Sequence, residues 1–143
     1  MAERLNHFYS EVTQVIVQHG IVDKLIGDEV MGLHFPALTR NGRYVDAMVS
    51  DALAILRTQG RDSPNGPRLE VGIGLDVGPA YVAIVGEGEI RDFTAIGDVV
   101  NTASRLQGVA AGARSSCTRL SRASLRSTGA RSSRSTSRVK PNP

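Results

Sequence analysis

Hydrophobic residues recur at helical intervals in three stretches of the chain. The first two stretches predict helices that end at Gly20 and Gly60, with apolar faces formed by Leu5, Phe8, Val12, Val15 and Ile16, and by Val45, Met48, Ala52, Ile55 and Leu56. The third predicts a helix over residues 99–109, with Asp98 as its N-cap.

Two strand pairs are predicted between these helices. Residues 21–25 and 30–35 flank the turn signal Gly27-Asp28, and residues 69–77 and 81–85 flank Gly78-Pro79. The resulting order is helix, hairpin, helix, hairpin, helix. This order predicts an α+β fold in which the helices pack on one face of a sheet.

Charge is distributed unevenly along the chain. The net charge is +3, but the 33 residues 111–143 hold seven Arg, one Lys and no acid, which leaves −5 on residues 1–110. The segment also holds nine Ser and few large aliphatic residues, which predicts a disordered tail after a domain at 1–110. Its charge allows a salt-sensitive, non-specific affinity for nucleic acid. Specific recognition is not expected, since no aromatic residue of the tail can stack on bases.

The composition also excludes several classes of protein. No run approaches the roughly 20 apolar residues of a membrane-spanning helix. Residues 1–6 lack the basic start and apolar run of a signal peptide. The single cysteine, Cys117, cannot form an internal disulfide, and no Cys/His cluster has zinc spacing. The expected localisation is therefore cytoplasmic.

The first predicted hairpin places a lysine near a carboxylate, in the sequence DKLIGD at residues 23–28. An exposed carboxylate on a turn is a good ligand for Mg²⁺, and an ammonium group can donate to a purine or a phosphate. This makes Lys24 and Asp28 candidate binding residues. The plain structural alternative is a surface hairpin in which Gly27 and Asp28 only form the turn.

The third predicted helix carries a second polar pair. Asn101 and Arg105 are four residues apart, on the side opposite the apolar face of Val99, Ala103, Leu106 and Ala110. An amide and a guanidinium one turn apart can jointly hold a polyanion. The alternative is an ordinary solvated helix face.

Three segments in collinear order resemble the catalytic domain of class III nucleotidyl cyclases. They are residues 22–35, 71–86 and 92–106, with the motifs DKLIGD, GIGLDVGP and DFTAIGDVVNTASRL. The last motif is long and highly specific, and the resemblance covers residues 1–110. It implies a ferredoxin-like cyclase sheet with helices on one face. It also implies conversion of ATP to 3′,5′-cyclic AMP and pyrophosphate.

The resemblance implies a role for each candidate residue. Lys24 and Thr94 match the two purine-selecting positions, where guanylyl cyclases have Glu and Cys, so this pair favours ATP. Asp28 matches one of two aspartates that bind Mg²⁺ or Mn²⁺. Asn101 matches the residue that orients the ribose, and Arg105 matches the arginine that stabilises the charged phosphorus centre. The family site lies between two subunits, which implies a homodimer or a heterodimer with another cyclase domain.

The sequence departs from the family pattern at both ends. Only 27 residues precede Asp28, whereas the family's first metal-binding aspartate lies on an opening strand roughly forty residues before the second. The chain is therefore expected to be an incomplete cyclase domain without that strand and its aspartate. After residue 110 the family continues with a Gly-Glu turn and a strand. One hypothesis for the Arg/Ser-rich tail is a shifted reading frame, since a shifted reading of GC-rich codons for residues 112–121 gives Gly-Glu-Val-Val-Val.

Two functions stay open at this point. The first is ATP cyclisation by an adenylyl cyclase domain. The second is a catalytically inactive remnant, or an interaction subunit that pairs with an intact cyclase domain.

Overall fold

The computed structural model describes residues 2–86, 92–112 and 120–121. These residues fall into two compact units, residues 2–71 and residues 72–86, 92–112 and 120–121. In chain order the elements are α1 (Ala2–Ile16), β1 (Ile21–Ile26), β2 (Glu29–Leu33), α2 (Tyr44–Thr58), β3 (Ile73–Gly74), β4 (Tyr81–Val85), β5 (Asp92–Ile96), α3 (Asp98–Gly112) and β6 (Leu120–Ser121). The mixture of helices and antiparallel strand pairs confirms the predicted α+β class.

The first unit packs α1 against α2 and against the antiparallel hairpin β1–β2. Its core lies between the two helices, where the buried apolar side chains are Phe8, Val12, Ile16, Tyr44, Ala52, Ile55 and Leu56. The predicted apolar faces of both helices are thus confirmed at most of their positions. Two 3₁₀ turns, Pro36–Leu38 and Arg40–Gly42, connect the hairpin to α2.

The second unit contains a different hairpin from the predicted one. The predicted pairing of residues 69–77 with 81–85 is wrong, because β4 pairs antiparallel with β5 and places Tyr81 opposite Ile96. The segment 69–77 forms only the two-residue strand β3, which pairs in parallel with β6. Gly72 and Gly74 weaken this segment as a strand, since glycine has no side chain to pack and loses more backbone entropy on folding than other residues.

Gly74 has a packing role that a strand pattern does not reveal. A Cβ atom at this position would overlap the carbonyl oxygen of Ala103 and lie 2.5 Å from the backbone nitrogen of Gln107. The glycine therefore lets the backbone of β3 approach the backbone of α3 directly. This close approach fixes α3 within the second unit.

The predicted tail at 111–143 falls almost wholly outside the described residues, apart from the end of α3 and the strand β6. The disorder and the shifted reading frame proposed for it stay predictions. None of the helices in the described part of the chain has the length and apolar character needed to cross a lipid bilayer.

Candidate functional site

The β1–β2 hairpin carries the first two candidate residues. Lys24 lies on β1 opposite Met31 and is half-buried, and Asp28 lies exposed in the turn that joins the two strands. The register shifts between Val22 and Lys24, which marks a β-bulge beside the lysine. A bulge bends a strand locally, and this one lies directly beside Lys24.

The turn beside Asp28 is held by a contact from α1. Gly27 has a φ of +59°, a backbone conformation that glycine adopts without strain. The Tyr9 hydroxyl donates a hydrogen bond to the Gly27 carbonyl oxygen. The turn that presents Asp28 is therefore fixed from outside the hairpin. From the sequence alone Tyr9 fits a packing position, because nothing in its local pattern indicates a partner eighteen residues away.

The second unit carries the other three candidate residues on one strand–helix segment. Thr94 lies on β5 opposite Ala83 and is half-buried, and β5 leads through Gly97 directly into α3. The backbone nitrogens of Val100 and Asn101 donate to the Gly97 carbonyl oxygen at 3.1 and 3.4 Å, which closes the first turn of the helix.

Asn101 and Arg105 are both exposed on α3, one helical turn apart. The opposite face of the helix includes the buried Ala110 and the half-buried Val99 and Ala103. The predicted division of α3 into a packed face and a polar face is thus confirmed. The amide and the guanidinium can contact one polyanionic ligand together.

The structure thus brings the candidate residues together in two groups. Lys24 and Asp28 share the β1–β2 hairpin of the first unit, and the remaining three, Thr94, Asn101 and Arg105, share the β5–α3 segment of the second. Each group combines the residue types that bind a nucleotide: donors for the base, and charged or polar groups for the metal and the phosphates.

In the sequence, His7, His19 and His34 are scattered and are predicted to be surface residues of helices or strands. In the structure, His19 and His34 instead contact one buried carboxylate, that of Asp51. His19 Nδ1 lies 2.8 Å from Asp51 Oδ1, and His34 Nε2 lies 2.9 Å from Asp51 Oδ2. Asp51 is only 4% exposed. The surface interpretation is therefore wrong for His34, whose side chain is only 6% exposed. The sequence signal for such a cluster is Asp51 itself, an acidic residue next to Ala52 of the apolar face of α2, because a buried acid is rare without a partner.

Comparison with known proteins shows the family of the chain. The family model of the adenylate and guanylate cyclase catalytic domain matches residues 1–141, so the chain belongs to this family. Members of the family act on nucleotides, form dimers and are generally metal-dependent.

Individual relatives include adenylate cyclases from distant organisms. Adenylate cyclase of Anabaena cylindrica is 35% identical over 94 residues, which is 63% of this chain and 18% of that protein. A terminal-differentiation-specific adenylate cyclase of Dictyostelium discoideum is 35% identical over 91 residues, which is 62% of this chain and 4% of that protein. The crystal structure of an adenylyl cyclase from P. aeruginosa superimposes with a TM-score of 0.62 at 29% identity, over 76% of this chain and 59% of that one. The chain therefore spans less than a fifth of the length of these two curated relatives.

Proposed function

We propose that this chain acts as an adenylyl cyclase domain, which converts ATP to 3′,5′-cyclic AMP and pyrophosphate at a site shared by two cyclase domains. The observation that carries the proposal is the placement of the family's motif residues. Lys24 and Asp28 lie on one hairpin, and Thr94, Asn101 and Arg105 lie on one strand–helix segment, which supports a shared role for the residues within each group.

Each side chain has a distinct task in this proposal. Lys24 and Thr94 contact the adenine, since an ammonium group can donate to a ring nitrogen and a hydroxyl can donate or accept. Asn101 orients the ribose so that its 3′-hydroxyl points at the α-phosphorus. Arg105 donates to the phosphoryl oxygens as negative charge builds up on them. A positioned donor at such a developing charge is worth about 3–4 kcal/mol.

The metal site needs more donors than the described residues provide. Carboxylate oxygens are the ligands that Mg²⁺ and Mn²⁺ prefer, and Asp28 supplies one exposed carboxylate on a turn. Among residues 2–86, 92–112 and 120–121, no group of three or more His, Cys, Asp or Glu side chains is placed to hold a metal ion. Asp28 is thus an incomplete donor set within the part of the chain that the structure describes.

This incomplete donor set favours a second candidate function, an interaction subunit without activity of its own. In that role the chain lends its remaining site residues to an intact cyclase domain. Both units offer apolar surface for such a partner: Leu25 and Ile26 in the first are 50% and 55% exposed, and Ile84 and Phe93 in the second are 63% and 41% exposed. Large apolar side chains exposed together on strands are typical of protein interaction surfaces.

A complementation assay tests both candidates. The purified chain is mixed with an intact class III adenylyl cyclase domain in which the lysine, asparagine and arginine of the site are replaced but both aspartates are kept. We expect cyclic AMP from ATP and Mn²⁺ in the mixture, because this chain supplies the three missing groups. Cyclic AMP from the chain alone would exclude the second candidate, and no product in the mixture would exclude both.

Arg105→Ala is the decisive variant in this assay. It should lower turnover by about 100- to 1,000-fold, since it removes one positioned donor at the reacting phosphate. Arg57→Ala is the matched control, because Arg57 is also an exposed helical arginine, 70% exposed on α2, and lies outside both groups of site residues. Equal effects of the two substitutions would contradict the assigned role of Arg105.

A further inference from the structure

The cluster formed by His19, Asp51 and His34, here called the His–Asp–His clamp, sits at the open end of the β1–β2 hairpin. His19 lies two residues before β1 begins, and His34 directly follows the last residue of β2. Asp51 belongs to α2. One carboxylate therefore contacts both chain segments that enter and leave the hairpin, at 2.8 and 2.9 Å.

The clamp supplies the hydrogen-bond donors that the buried Asp51 carboxylate needs. An ionised carboxylate only accepts hydrogen bonds, and a buried one without donors is costly. Each histidine faces one carboxylate oxygen of Asp51, so each ring must carry a proton on the nitrogen that faces Asp51: Nδ1 in His19 and Nε2 in His34. Both rings are thus fixed in orientation by the same acceptor, and the two hairpin ends are fixed relative to α2.

Two glycines at the base of the hairpin lie in positions where a side chain would not fit without a shift of its neighbours. A Cβ atom at Gly20 would lie 2.6 Å from the Leu33 carbonyl oxygen and 3.1 Å from the His34 ring. A Cβ atom at Gly32 would lie 3.0 Å from the side chain of Ile16, which is buried at the end of α1. Glycine at these two positions therefore allows the close packing of the hairpin base against Ile16 and of its two ends against each other.

A two-stranded hairpin has little stability by itself and depends on what it packs against. Here Tyr9 holds the turn end and the His–Asp–His clamp holds the open end. We propose that Asp51 is a positioning residue, which acts through His19 and His34 to place the hairpin that carries Lys24 and Asp28. The inference rests on the proposed function for the roles of those two residues, but the placement itself is independent of activity.

Hydrogen exchange of the full chain tests the placement. In Asp51→Ala, amides of residues 21–33 should exchange about 10- to 100-fold faster, while amides in the middle of α1 keep their protection. His19→Ala should have the same selective effect. The His19 side chain is 43% exposed, so its removal does not create a cavity in the core. If Asp51→Ala does not fold, His19→Ala alone tests the placement of the hairpin. His7→Ala, another exposed histidine beside an acid on α1, is the control.

Selective loss of protection in the hairpin with His19→Ala supports the inference. An unchanged hairpin, or an equal loss of protection throughout the first unit, overturns it.

The complementation assay adds a readout that a merely structural role would not change. Asp51→Ala should raise the KM for ATP and reduce the preference for ATP over GTP about tenfold, with a smaller effect on kcat, because Lys24 contacts the base. Asp51→Asn should keep most of the affinity for ATP and most of the preference for ATP over GTP. An amide can accept a hydrogen bond from one histidine and donate one to the other after that ring changes its tautomer. An active Asp51→Ala chain with unchanged KM and preference overturns the inference.

If the unmodified chain gives no cyclic AMP, the proposed function fails. Hydrogen exchange alone then tests whether Asp51 places the hairpin.

Discussion

Glu11 on α1 is the acceptor for two donors that differ in burial. Arg68 Nη2 lies 2.9 and 3.1 Å from the two carboxylate oxygens of Glu11, and Gln59 Nε2 lies 2.8 Å from one of them. The Arg68 side chain is 53% exposed, whereas Gln59 is only 1% exposed. These bonds fasten the loop that follows α2 to the first helix, and their loss should destabilise the first unit.

The difference in burial predicts an order of effects. Arg68→Ala removes an ion pair whose cation is half in water, and such pairs contribute about 0–1 kcal/mol. Glu11→Ala removes the same pair and also leaves the buried Gln59 amide without its main acceptor, which costs about 1–3 kcal/mol more. Glu11→Ala should therefore lower the free energy of unfolding by more than Arg68→Ala does.

The same bonds make the stability depend on pH. Burial alone raises the pKa of Glu11, but hydrogen bonds from Arg68 and Gln59 and the charges of Arg68 and His7 outweigh it and lower the pKa below its ordinary value of 4.5. Since the folded pKa lies below the unfolded one, the stabilisation is fully present above pH 4.5. It is lost as the pH falls through the folded pKa.

Urea unfolding of the full chain, followed by circular dichroism at about pH 7 and about pH 3, measures both effects. Glu11→Gln should lose less stability than the unmodified chain between these two pH values, because it has no carboxylate to protonate. Glu29→Gln, at an exposed glutamate of β2, is the matched control for removal of one carboxylate. A larger cost for Arg68→Ala than for Glu11→Ala would refute the reasoning from burial. An acid loss in Glu11→Gln equal to that of the unmodified chain would refute the reasoning from charge.

Three further substitutions should change the stability of the protein by different amounts and in different directions. Gly74→Ala should destabilise the second unit by several kcal/mol, because its Cβ would overlap backbone atoms of α3, as thermal unfolding would detect. Gly108→Ala, where a Cβ meets nothing, should instead stabilise α3 by about 0.5–1 kcal/mol; a loss of stability there would contradict the packing described. Tyr9→Phe should cost about 1 kcal/mol in urea unfolding by removing the bond to Gly27, and an unchanged midpoint would show that this bond contributes nothing.

The elements that local pattern could predict are those with strong amphipathic faces. Helices α1, α2 and α3 and the hairpin β1–β2 lie within a few residues of their predicted bounds, since helical spacing and the Gly27-Asp28 turn are local signals. The pairing of β4 with β5 was not predicted. Residues 69–77 alternate apolar residues with glycine or acidic residues beside a Gly-Pro turn, which is a local strand signal. The close approach of Gly74 to the backbone of α3 is a tertiary contact that no local signal shows.

The candidate site shows the same difference between local signals, which the sequence contains, and long-range contacts, which it does not show. The motif residues Lys24, Asp28, Thr94, Asn101 and Arg105 were found from short sequence segments, because their types and spacing are local. The residues that hold the hairpin in place have no such local signal. Tyr9 contacts a turn eighteen residues away, and His19 contacts Asp51 across 32 residues. Such contacts depend on how helices and strands pack, and no single segment contains the information.

These supporting contacts give α1 an influence on the site that its sequence does not suggest. Its buried face packs against α2, while Tyr9 holds the turn of the β1–β2 hairpin and Ile16 fills the space beside Gly32 at the hairpin base. A substitution that tilts α1 therefore moves the hairpin at both ends without touching Lys24 or Asp28. Val12→Ala, a cavity at a position 3% exposed on the buried face, should accordingly increase hydrogen exchange in residues 21–33 as well as in α1 itself. A response confined to α1 would mean that the hairpin is placed by the His–Asp–His clamp alone.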